Sequence, residues 1–181
     1  KACQLFPGIP MLHAARARAL AAGGLLAQSM GASDQALELA ERTGLQVASL
    51  WLDRAACLLA DSQMVTAGFC LDKVRELRPD DVDWEQEIGL EFLASQCWSE
   101  ALVPLSRVVE LRPQRAFAWC MLARAWRCLG QPQRVARALE AVERINPNYP
   151  GLQVERRATW PLALGYWLKR IGKALISNGK T

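Results

Sequence analysis

Side-chain catalysis needs a base, a nucleophile or a metal, and few residues here could supply one. The 181 residues include a single histidine, His13. A Ser-His-Asp or Cys-His device needs that histidine oriented by an acid. His13 lies in an Ala/Arg-rich stretch without one and reads as a surface or groove residue. The six cysteines, Cys3, Cys57, Cys70, Cys97, Cys120 and Cys128, form no C-x-x-C pair, so no zinc cluster is expected. They read instead as small buried apolar groups, kept reduced. That places the chain in the cytoplasm, with the periplasm as the alternative compartment. Gly23-Gly24 sits in what reads as an alanine-rich helix, without the lysine and Ser/Thr of a phosphate loop. Glu85-Gln86-Glu87 brings two carboxylates together in sequence, but residues two apart diverge on a helix. They read as a solvated first turn favoured by the helix dipole. No enzyme activity, cofactor or metal is expected.

Composition agrees with a folded domain. Half of the residues, 51%, are hydrophobic, enough for a sizeable core in a chain of this length. No apolar run reaches the roughly 18–20 residues that span a bilayer. Net charge is +4, a weak preference for acidic partners and no footprint for nucleic acid. Its 17 arginines outnumber its 5 lysines, which suits bidentate recognition of carboxylates and is equally explained by GC-rich codon usage. The chain opens Lys1-Ala2-Cys3 without methionine and reads as a processed product or an excised fragment.

The elements that position these residues are set by a period. Pro79, Pro113 and Pro147 stand 34 residues apart, each closing a similar phrase: Glu76-Leu77-Arg78, Glu110-Leu111-Arg112 and Arg144-Ile145-Asn146. Such a stride with a closing proline marks a stacked helix-turn-helix repeat. Within each unit a small residue of the first helix (Ala55, Gly89, Ala123) lets the second helix approach. The bulky residue three places on (Leu58, Phe92, Trp126) meets a small or slim one of the second helix (Ala67, Ala101, Val135). Apolar positions three and four apart then line one stripe per helix. Gly130 ends one helix and Pro132 opens the next, while Asp80 and Asp81 can cap the helix after Pro79. Pro104 falls inside a helix and predicts a local kink.

These residues resemble the tetratricopeptide repeat family, whose pattern is W-x2-L-G-x2-Y, then A-x3-F, then P. Unit 116–149 offers Trp119, Leu122, Ala123, Trp126, Val135, Leu139 and Pro147. Unit 82–115 offers Ile88, Gly89, Phe92, Ala101, Leu105 and Pro113, with Trp84 one place early. Unit 48–81 offers Trp51, Ala55, Leu58, Ala67, Leu71 and Pro79, with Arg54 where an apolar residue is usual. Trp51, Trp119 and Trp126 hold core places, whereas Trp98, at a turn, is a candidate anchor. Residues 1–10 read as an extended lead-in and 11–47 as a degenerate pair, with a helix over Leu20–Leu26, a turn at Gly31, and Ser33-Asp34 capping Gln35–Thr43. Starting near Ala17, that pair would lie closer to its successor than the period. Residues 150–181 read as C-terminal helices. One begins at Leu152–Ala158, is interrupted by Trp160-Pro161, and is followed by an amphipathic face of Leu164, Leu168, Ile171 and Leu175 that caps the stack. Membrane contact through that face, with Tyr166, Trp167 and its cations, is not favoured.

The resemblance implies an all-α, right-handed solenoid of about four pairs, with a concave groove lined by first helices. Its groove places fall on Leu52 and Leu59, on Gln86, Leu90 and Leu93, and on Phe117, Cys120, Arg124 and Arg127. Ser49, Ala56, Ala60, Asp83, Ala94 and Cys128 fill the rest. The groove is apolar with two arginines, and fits a peptide or partner helix with hydrophobic and acidic anchors. Reversing the charge of Arg124 and Arg127 is expected to leave folding intact and to weaken such binding. The implied function is a protein-binding adaptor or assembly factor, and composition alone suggests that its complex is bacterial. The alternatives are a secretion-type chaperone, and a docking segment of a larger enzyme such as a glycosyl- or sulfotransferase.

Overall fold

A computed structural model describes residues 2–159. Its helices are α1 (Ala2–Leu5), α2 (Pro10–Ala22), α3 (Leu26–Arg42), α4 (Ala48–Ala60), α5 (Met64–Leu77), α6 (Val82–Ala94), α7 (Trp98–Leu111), α8 (Ala116–Cys128) and α9 (Pro132–Ile145). A further helical stretch covers 150–159, and no strand occurs among the described residues. None of these helices is long and apolar enough to cross a membrane. The amphipathic face expected from Leu164 onward, and Trp160-Pro161, lie outside the described residues.

The chain divides between Ser95 and Gln96 into two compact units. In the first, α2 packs on α3 and α4, α4 on α5, and α6 on both α4 and α5. In the second, α8 packs between α7 and α9. First helices start at Ala48, Val82 and Ala116, and second helices at Met64, Trp98 and Pro132, so both sets keep the stride of 34.

Small residues make that packing close. Ala55 and Ala67 of the α4–α5 pair are completely buried, as are Ala123 and Val135 of α8–α9, with Leu58 and Leu122 filling the space beside them. A bulkier side chain at such a place would hold the paired helices apart. Pro104 is buried within α7, and the helix runs through it without a break. Asp81 caps α6 by accepting from the Asp83 N–H at 3.0 Å, as the acidic pair after Pro79 predicts.

The N-terminal pair departs from the sequence reading. The lead-in is not extended throughout, because Ala2–Leu5 is helical. Cys3 in that turn donates its thiol to the Leu12 carbonyl at 3.3 Å. Gly31 and Ser33-Asp34 do not make a turn and a cap but lie inside α3. The turn falls instead at Gly23-Gly24, where Gly24 takes φ +75° and Leu25 donates to the Leu20 carbonyl at 2.9 Å. Two glycines favour a left-handed helix end, and the surrounding alanines had disguised it as helix. The pair therefore begins at Pro10 rather than near Ala17, and its interval to α4 is longer than the period, not shorter.

The same left-handed end closes the first helix of each later unit. Ser62 has φ 59°, Gln96 φ 60° and Gly130 φ 68°, one stride apart. Gln63 donates to the Leu58 carbonyl and Gln131 to the Trp126 carbonyl, both at 2.9 Å, completing Schellman-type caps. Only Gly130 adopts this conformation without strain; a side-chain-bearing residue there costs about 1–2 kcal/mol. Ser62 is exposed, so Ser62→Gly should raise stability by about 0.5–1 kcal/mol in urea titration. Unchanged or lower stability would show that the turn carries no strain.

Candidate functional site

Charges along the first helices are already engaged with one another. In the first unit Arg18 of α2 bonds Asp53 of α4 at 3.0 Å and Glu91 of α6 at 2.7 Å. Burial opposes its charge, but the bonds to Glu91 and Asp53 outweigh that and raise its pKa. Arg54, in a place usually apolar, binds Asp34 at 2.8 Å and the Met30 carbonyl at 3.1 Å. The departure from the repeat pattern is thus a tie between α4 and α3. Glu85 corrects the reading of a solvated first turn. It is only 5% exposed and receives Arg75 Nε at 2.9 Å and Nη2 at 3.3 Å, a bidentate pair.

The predicted groove residues separate into two groups. Leu52, Leu59, Leu93 and Cys120 are buried, so their side chains pack within the fold. Gln86, Leu90 and Phe117 are half-buried and reach the surface. Gln86 keeps its Oε1 buried without a donor. Arg124 and Arg127 converge on a carboxylate from the chain itself. Their Nε atoms lie 3.0 and 3.2 Å from the two oxygens of Glu155, in the stretch 150–159. Glu155 is 2% exposed, so the acidic group sought for these arginines is internal. His13 also moves from surface to interior. It is 8% exposed, with Nε2 against the Pro7 carbonyl at 2.9 Å. No group of three metal-ligating side chains occurs among the described residues.

Open clefts lie elsewhere, beside the fourth-place tryptophans. In the first unit a cleft of about 740 Å³ is lined by Leu45, Val47, Leu50, Trp51, Lys73 and Glu76, among others. Trp51 meets Phe69 edge to face at 6.4 Å between centroids, and Lys73 pairs with Glu76 at 2.6 Å. In the second unit two smaller spaces, about 470 and 240 Å³, share Trp119, Ala141 and Arg144. Trp119 donates Nε1–H to the Pro113 carbonyl at 2.9 Å. These tryptophans are only half-buried, packing with one face and lining a cleft with the other. The available signal was the recurrence of tryptophan at one place of the unit together with cations on the second helix.

Two outcomes check this site. Arg124→Glu with Arg127→Glu, expected from sequence to spare folding, should instead destabilise by about 3 kcal/mol or more, because two new carboxylates would then converge on a buried third. An unchanged urea midpoint would contradict the Glu155 geometry. Burial, and secondarily Glu155, push the Cys120 thiol up to about 11. Folding thus favours the protonated thiol, a contribution intact below pH 9.0 and lost as pH rises towards 11. Since the thiolate is the nucleophile, iodoacetamide at pH ~8 should label exposed Cys128 well before Cys120. Equal labelling in the folded protein would show the Cys120 pocket to be open.

No protein-family model matches the chain, and no curated protein sequence does. Solved structures do match. A Podosopora anserina protein described as kinesin light chain, with nearly identical TPR-like repeats, is 18% identical with a TM-score of 0.64, over 92% of this chain and 91% of that one. YrrB, described as a TPR protein with an unusual peptide-binding site, is 16% identical with a TM-score of 0.56, over 86% and 78%. MamA from AMB-1 is 15% identical with a TM-score of 0.52, over 95% and 93%. The fold of this chain is the all-α helical-repeat fold of the tetratricopeptide-repeat proteins.

Proposed function

We propose that this chain is a non-catalytic protein-binding module, an adaptor or assembly factor, that takes up a peptide or partner helix along its first helices. One observation carries the reading. Arg124 and Arg127 already receive a carboxylate from a helix laid beside α8, so the first-helix face is built to accept a helical segment with an acidic side chain. In the first unit Gln86 and Leu90 remain half-exposed on α6, an amide and an apolar group suited to peptide recognition. The peptide-binding site described for YrrB supports the same class of ligand. A reducing compartment, the cytoplasm, suits six cysteines with no disulfide among them and belongs to the same proposal.

The test is capture of partners from source cells on the immobilised chain, beside a Gln86→Ala, Leu90→Glu variant of matched melting temperature. We expect a stoichiometric protein partner whose retention by the variant drops about tenfold or more, roughly 1.4 kcal/mol. A partner held equally by both forms would remove this face from binding.

A further inference from the structure

The second unit carries a cleft whose chemistry the first-helix face does not explain. Arg134, Arg137, Ala141 and Arg144 follow one another at helical spacing along one side of α9, opposite Trp119 and Trp126 of α8. All three arginines are exposed. Among the described residues no carboxylate pairs with any of them; Arg144 alone makes a contact, a long one of 3.5 Å to the Glu140 carbonyl. Trp126 lines the same cleft with its Nε1–H buried and without an acceptor. The cleft of the first unit is different. There Lys73 is taken by Glu76 at 2.6 Å, and Glu38, which also lines it, is held by Arg42 at 2.6 Å. Its one cation is answered internally, whereas those of α9 are not.

We propose that the Trp119–Trp126 cleft is a second docking site, for an acidic peptide segment carrying an apolar anchor. It rests on the protein-binding reading and names the chemistry of one partner. The arginines span about 15 Å of α9 at 1.5 Å per residue, the reach of about five residues of extended peptide. Guanidinium groups take carboxylates bidentately. Half-buried indoles between them receive an aliphatic or aromatic side chain, the arrangement in which tryptophan and arginine dominate binding energy. Glu140 sits on the rim between Arg137 and Arg144. It would repel a continuous polyanion at that step, while discrete carboxylates on a peptide can straddle it. A peptide therefore fits better than a phosphate backbone.

The test uses a short fluorescein-labelled peptide of alternating glutamate and leucine, its glutamine counterpart, and labelled single-stranded oligothymidylate, read by anisotropy. The glutamate peptide should bind at least about tenfold more tightly than the glutamine peptide, and weaken as salt rises. Arg134→Gln with Arg137→Gln should abolish that preference, and both positions are exposed, so folding is unaffected. Leu90→Glu should leave it intact, separating this site from the first-helix face. Equal binding of both peptides, survival of the preference in the double variant, or tighter binding of the oligonucleotide would each overturn the proposal. Failure here with a captured partner that still depends on Leu90 would reject this cleft and keep the protein-binding reading.

Discussion

Everything in this fold depends on how closely two helices of a pair can approach. Ala55 and Ala67 in one pair, and Ala123 and Val135 in another, have no exposed surface. Their smallness lets Leu58, Leu71, Leu122 and Val142 close over the contact, all of them at most 1% exposed. Interiors packed at crystal-like density tolerate little volume change at such points. One pair still leaves an apolar flank uncovered, so its stability comes from the next element laid against it. In the first unit α4 meets α2 and α3 on one flank and α6 on the other.

Ion pairs use the same stacking to fix which helix lies against which. Arg18 reaches Asp53 and Glu91, and Arg124 and Arg127 reach Glu155. Asp53 and Glu155 occupy the same place in their respective repeats. Such pairs add little where solvent screens them, and Arg18, 43% exposed, is of that kind. Glu155 is not, because its carboxylate is buried and would be costly without both arginines. The stretch 150–159 is thereby tied to α8, and its Leu152 is fully buried.

The stride, the paired helices and the alanine contacts were legible because they are local and periodic. Pro79, Pro113 and Pro147 report on chain geometry that only neighbouring residues determine. The N-terminal pair was not, because its alanines give α2 almost no apolar periodicity to set against a turn at Gly23-Gly24. Glu85 and Glu155 failed for another reason. Each looked solvated or unremarkable until a partner on a different helix, Arg75 or the Arg124–Arg127 pair, came within 3.3 Å. A buried charge is written in the sequence twice, at distant places, and neither half announces the other.

The fourth-place tryptophans show where specificity can vary without disturbing the fold. Trp51 and Trp119 stand at equivalent points, each half-buried and facing residues from the same three places of its second helix. In one unit those places hold Lys73, Glu76 and Leu77, in the other Ala141, Arg144 and Ile145. Exchanging a lysine–glutamate pair for an alanine and an arginine removes a carboxylate and leaves a cation unanswered. Neither change reaches Ala67 or Val135, so the helix contact is indifferent to it. The core of a repeat sets the stride, and the two or three residues beside its tryptophan are free to choose a partner.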